Sequence, residues 1–285
     1  MESGAEANAI LSGLAAAGDG PCDIAGAALA LASFDRPGVG FSWYQRHLAE
    51  LAETLADTLA DTLIAGPAGQ GRDIAGCTMA LAQVMVEGYG YQGDELTYDD
   101  MQNANLMRVI ERRRGLPVAL GILYIHTARS QGWQAEGLNF PGHFLIRLQA
   151  AGGRAILDPF HGGRALEAVD LRQLLAAIAG QDASLLPDYY EPVPDRDILL
   201  RLQNNILLRA MRQGEFERAL AVIGRMQLFA PDHVPLWRES ALINARLERM
   251  GAAIEALERF VILAPTSEER HEAAALLQAW RGRLN

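Results

Sequence analysis

Residues 229–232 read FAPD and residues 263–266 read LAPT, an offset of 34 positions. The same offset carries Ala219 onto Ala253, Leu220 onto Ile254, Arg225 onto Arg259 and Met226 onto Phe260. No other feature constrains the fold of this chain as strongly. A fixed period of that length, with small residues where helices cross and a proline closing each unit, describes a helix–turn–helix module. Such a module cannot bury its apolar face alone, so consecutive copies must stack into a curved surface.

The period identifies these units as tetratricopeptide repeats, two of them aligned, with a closing helix expected over 267–283. Upstream the chain has a different character. Asp23 caps a predicted helix that runs to Ser33 and stops at DRPGVG. SWYQ at 42–45 is a Ser-x-x-Gln capping box, and Leu48, Leu51, Leu55, Leu59 and Leu63 then form one stripe as far as the breaker GPAGQG at 66–71. A helix from Asp73 puts Ile74, Cys77, Leu81, Val84 and Met85 on one face, which makes Cys77 a small core residue. Helices over 103–113 and 117–131 follow, then a strand near Ala135–Phe140, a hairpin, and a helix over 169–179. Helices first and antiparallel strands afterwards predict an α+β unit, not an alternating βαβ one.

The chain has 285 residues, 25 Lys and Arg against 35 Asp and Glu, and a net charge of −10, which excludes the basic face a nucleic-acid binder needs. MESGAEANAI lacks the basic start of a secretory signal, and the longest apolar run, IAGAALALA at 24–32, is far short of the roughly 20 residues a membrane span requires. Two cysteines 55 positions apart indicate neither a disulfide framework nor a zinc site. A cytoplasmic protein without membrane or nucleic-acid partners is expected.

The chemistry gathers in FPGHFLIRLQAAGGRAILDPF at 140–160. If His143 faces Asp158 across a hairpin, paired positions sum to 301 and the turn centres between Ala150 and Ala151. Asp158 would then fix the tautomer of His143 and leave its other ring nitrogen as a base. A nucleophile for such a pair belongs at a helix N-terminus, where the dipole lowers a thiol's pKa. From Asp99 to His126 there is no Cys, Ser or Thr, and the helix there opens on Pro117, which suits a first turn and offers no nucleophile. His126, His143, His161 and Asp158 contain a two-histidine, one-carboxylate set, but the spacing is not diagnostic and His126 has no strand-paired partner, so no metal is assigned. RVIERRRG at 108–115 reads as a solvated helix C-terminus with arginines favoured by the dipole.

RRRGLPVAL, PGHFLIR and DPF in combination, with the helical lead-in DIAGAALALASFDRPGVGFSWYQRHLAELA and the repeats behind, resemble the bacterial SirB-type family over most of the chain. The resemblance implies a papain-like α+β core of the transglutaminase superfamily, whose active members use a Cys–His–Asp triad. It places Pro117 at the cysteine's position, His143 at the histidine's and Asp158 at the aspartate's. Relatives in this branch often carry serines just after that proline, where this chain has Ala119 and Gly121. The implied organisation is a helical lead-in over 1–97, a transglutaminase-like core over 98–180, a linker over 181–195 and all-α tetratricopeptide repeats over 196–285. The expected function is a non-catalytic regulator or scaffold that binds a protein or peptide through the repeats and the core cleft, without cofactors. The alternative is a weak hydrolase or acyl transferase in which His143 activates water.

Overall fold

The computed structural model describes residues 2–65 and 73–284; the breaker at 66–71 lies outside the described residues. The chain divides into two compact units, Met1–Ile10 with Ala17–Leu202 and Leu11–Ala16 with Gln203–Asn285.

The first unit is α+β. Its helices are α1 (Glu2–Ala17, of which Leu11–Ala16 is grouped with the second unit), α2 (Ile24–Ser33), α3 (Ser42–Ala65), α4 (Ile74–Ala82, running on as a π-helical turn to Gly88), α5 (Leu106–Arg112), α6 (Pro117–Arg129) and α7 (Ala168–Ala179). Asp23 and Asp73 cap α2 and α4, each accepting the backbone N–H three residues on at 2.9 Å. The helix expected over 103–113 is broken: Met101–Ala104 is a 3₁₀ turn, and the Asn105 side chain accepts from the Arg108 N–H to start α5 afresh. α1 was not expected from the sequence. A parallel bridge joins β1 (Gln92–Gly93) to β2 (Arg114–Gly115).

The main sheet contains β3 (Gln134–Leu138), β4 (Ile146–Ala150), β5 (Gly153–Asp158), β6 (Arg164–Leu166) and β7 (Pro192–Val193), in the order β6-β5-β4-β3-β7 with every neighbour antiparallel. β7 comes from the segment read as a linker. α6 packs on β3 and β4 and is buried on almost every side, which is why PVALGILYIHTAR has apolar residues around its whole circumference. Its Arg129 makes a two-pronged bond to buried Asp195, at 2.6 and 2.9 Å, and Asp195 also accepts the Cys22 N–H.

The hairpin register differs from expectation. Ala150 faces Gly153 and Ile146 faces Leu157, so paired positions sum to 303, not 301, and the turn is Ala151–Gly152. Both turn residues have positive φ, 51° and 76°, the condition for the two-residue turn that matches strand twist. A slip of two preserves which face each side chain takes, whereas a slip of one would reverse it.

The arginine run is not a solvated helix end. Arg112 donates to buried Asp94 at 2.8 Å and to Asn103 at 2.7 Å. Arg113 closes α5 in a left-handed conformation, lies over the rings of Tyr89 and Tyr91 at 5.6 and 4.9 Å, and donates to His47 Nε2 at 2.6 Å and to the Tyr91 hydroxyl.

In the second unit, α9 (Phe216–Phe229) and α11 (Met250–Leu263) repeat at the sequence offset of 34, with α10 (Val234–Arg246) and α12 (Ser267–Leu284) as their partners. α8 (Asp195–Gln213) precedes them, and the boundary between the units falls within it. The aligned residues Ala219, Ala253, Met226 and Phe260 are all buried, as stacked repeats require.

Two predictions follow from these contacts. A non-glycine residue at left-handed φ costs about 1–2 kcal/mol, partly offset by the extra backbone entropy glycine loses on folding. Ala151→Gly is therefore expected to raise the unfolding free energy from denaturant titration by a few tenths to about 1 kcal/mol. His47 is buried, and burial first, then Arg113, push its pKa down to about 4, against a smaller pull from Glu50. The unfolded chain takes up that proton near the ordinary 6.5 and the folded one resists it, so this residue's contribution is complete above pH 6.5 and is lost as pH falls towards 4. Melting temperature against pH should decline across that window, and His47→Gln should flatten the decline.

Candidate functional site

The site stands on two bends at one end of the hairpin. Pro141-Gly142-His143 turns ahead of β4, with Gly142 at φ +67° and the His143 N–H donating to the Pro141 carbonyl at 2.8 Å. Asp158 ends β5, and its loop returns through Gly162 and Gly163, both at positive φ, with the Gly163 N–H bonded to the Asp158 carbonyl at 2.8 Å. One Asp158 oxygen, Oδ1, accepts the backbone N–H of Phe160 at 3.0 Å and of His161 at 3.3 Å. This fixes both the carboxylate and the loop.

His143 and Asp158 meet: Nε2 lies 2.9 Å from Oδ1. The ring also packs edge-on to Phe160, with centroids 6.2 Å apart. The second Asp158 oxygen is 2.7 Å from His161 Nδ1, and the two imidazoles stack 5.8 Å apart at 25°. Burial alone would raise the Asp158 pKa, but the bonds from His143 and His161 outweigh it and hold the carboxyl below its usual value. A carboxylate only accepts, so in the neutral rings Nε2 of His143 and Nδ1 of His161 carry the protons. Among the described residues this is His143's one side-chain hydrogen bond, and its Nδ1 remains available as a base.

Phe144, the next residue, fixes the position of His143. A Cβ on Gly121 of α6 would lie 2.3 Å from the Phe144 ring, and one on Gly137 of β3 would lie 2.8 Å from it. The ring occupies a slot between helix and sheet that only these two glycines leave open. Arg201 of α8 lies over the same ring at 5.4 Å and donates to the His143 carbonyl at 2.8 Å. Sequence reasoning missed Arg201, because it was counted with the repeats.

His126 is not part of the cluster. It is half-buried on α6 with Nε2 3.4 Å from the Leu48 carbonyl. Cys77 is buried in α4, and burial, followed by the charge of Asp73, pushes its thiol pKa up. Burial, followed by Asp195, pushes Cys22 up to about 12. Thr127 donates its hydroxyl to the Leu123 carbonyl at 2.8 Å. None of these three is poised as a nucleophile. Pro117 is the first residue of α6, preceded by Leu116 in extended conformation.

Comparison with known families matches residues 42–204 to a model described as the transglutaminase-like superfamily, which is more than half of the chain. This chain belongs to the transglutaminase-like superfamily. Residues 206–278 of the same transglutaminase-like protein match a tetratricopeptide repeat model. A UPF0162 protein of Xylella fastidiosa (strain Temecula1) is 32% identical over 191 residues, covering 66% of this chain and 68% of that protein. A UPF0162 protein of Vibrio cholerae is 29% identical over 186 residues, covering 64% and 67%. F-box only protein 21 of Homo sapiens is 28% identical over 179 residues, covering 59% of this chain and 27% of that protein. Arg201 lies inside the transglutaminase-like match, which ends at 204.

The Phe144 slot makes a prediction about Gly121. Overpacking a filled core costs about 1–3 kcal/mol, so Gly121→Ser should lower the unfolding free energy from denaturant titration by that amount, and Phe144→Leu in the same chain should recover part of it. Equal stability of Gly121→Ser and the parent would mean that the ring is not confined.

Proposed function

We propose that this protein works by binding a protein segment through its repeats, and that its transglutaminase-like unit retains a histidine–aspartate pair without a nucleophile. The observation that carries this reading is the chemistry around His143: a histidine correctly held by a carboxylate, with proline heading the helix where a cysteine would be needed. A general base alone is worth about 10²–10⁴-fold in rate, too little for acyl transfer without a nucleophile and an oxyanion hole. The resemblance to the SirB-type family, whose members are often described as regulators, supports the same conclusion.

On the repeat unit, a groove of about 480 Å³ is lined by Leu242, Leu257, Phe260 and Leu276, with Glu269 and Glu272 outnumbering Arg238 among its charged residues. An amphipathic helix or extended segment with an apolar anchor and flanking basic residues suits that lining. Leu242 and Leu276 are 41% and 36% exposed, so charged replacements there leave the helical core intact.

The test is a quantitative capture from lysate with three full-length baits: the parent, Leu242→Glu with Leu276→Glu, and His143→Ala. Partners lost by the groove variant and kept by His143→Ala are the expected outcome. Capture indifferent to the groove would overturn the repeat assignment. Hydrolysis of an activated ester by the parent, abolished in a folded His143→Ala, would overturn the non-catalytic assignment in favour of a water-using hydrolase.

A further inference from the structure

We infer that His143, Asp158 and His161 form a binding site for one divalent transition-metal cation. The inference goes beyond the reading above and stands whether or not the repeats bind a protein. Spacing alone assigns no metal to the set His126, His143, His161 and Asp158; the structure removes His126 and brings the other three together.

One donor atom from each of the three residues lies within 4.8 Å of the other two. The two nitrogens lie 2.9 Å (His143) and 2.7 Å (His161) from one Asp158 oxygen each, and opening these contacts to the roughly 3.4 Å between tetrahedral ligands bound at about 2.0–2.2 Å needs a shift of only about half an ångström. The cation would take the place of the two ring protons that now point at the carboxylate, and each neutral imidazole would carry its N–H on the other nitrogen instead. Two imidazoles and a carboxylate suit zinc, iron(II), cobalt or nickel, not calcium or magnesium, which take oxygen ligands.

The surroundings also fit. The carboxylate is held by the Phe160 and His161 backbone amides, the kind of outer-shell bond that orients a ligating group. His143 and Asp158 are largely buried, while the His161 side chain is 52% exposed, so it can swing the short distance needed to close the shell and give an ion a way in. Asp158 and His161 line a cavity of about 260 Å³, whose cation, Arg164, is neutralised by Asp170 at 2.8 Å. Three protein ligands beside a cavity describe an open site, with a place for water or an outside donor, and not a closed structural one. A second observation marks the same spot. Tyr124 is 1% exposed and its hydroxyl has no hydrogen-bond partner among the described residues. It rests against Gly163 of the Asp158 loop, where an added Cβ would sit 2.8 Å from it. A buried hydroxyl without a partner is costly, and this one leaves polar ground beside the cluster that protein atoms alone do not complete.

The experiment is zinc titration of chelator-treated full-length protein by calorimetry, with cobalt as a spectroscopic probe. One zinc per chain and visible cobalt bands are expected. His161→Ala, at an exposed position, should keep the fold by circular dichroism and weaken zinc binding by at least about tenfold, the loss that even an outer-shell partner causes. His271→Ala, at an exposed histidine on the repeats, should leave it unchanged. Absence of saturable binding by the parent, or unchanged affinity in His161→Ala, overturns the inference.

Discussion

The geometry of the transglutaminase-like unit depends on one aromatic ring. Phe144 lies between Gly121 of α6 and Gly137 of β3, and neither position has room for a Cβ. Glycine inside a helix costs about 1 kcal/mol relative to alanine, and inside a strand it also weakens the element. Both costs are accepted because they let the buried helix approach the sheet with a phenylalanine as spacer. The ring sets the distance between the layers. Its neighbour His143 inherits that position, and Arg201 locks the arrangement by covering the ring and bonding the His143 carbonyl.

Asp158 plays the corresponding part on the other side of the site. Its carboxylate serves two imidazoles and two backbone amides, and so holds the loop that contains Phe160 and His161. Phe160 in turn fills the space above Gly93, where an added Cβ would be 2.6 Å from the ring. A buried carboxylate stripped of partners would be strongly destabilising. The His143–Asp158 contact therefore has a structural reason to exist.

Much of this was legible in the sequence because local physics dictated it. The 34-residue period fixes the repeats, since each apolar position must meet its neighbour's. Asp23 and Asp73 are read as caps because a short acceptor before an apolar run has one use. The meeting of His143 and Asp158 was legible although the register was not. QAAGGR has two candidate turn centres, and only the backbone reveals that Ala151 takes the left-handed conformation beside Gly152. Arg112 and Arg113 were misread because their partners, Asp94, His47 and Tyr91, are distant in sequence or lie in a loop without periodicity. Arg201 was missed as a member of the site because it lies 58 positions from His143, in the stretch read as repeats. α1 carried too weak an apolar stripe to be noticed.

The head of α6 bears on what became of the missing nucleophile. A catalytic residue at a helix start is a compromise, because its side chain must stay exposed and reactive at a place where packing favours something else. Here every position has gone to packing. Pro117 has its φ preset for the first turn and lacks the N–H that a helix start leaves unbonded, and proline at a compatible site stabilises a fold by about 0.4–1 kcal/mol through the unfolded state. Ala119 is fully buried, and Gly121 yields its space to Phe144. A thiol at 117 would sacrifice the preset turn, and a hydroxyl at 121 would force out the ring that positions His143. On the reading proposed here, loss of the nucleophile and tightening of the helix-to-sheet contact are one change. The glycine that admits Phe144 is what keeps the histidine in place.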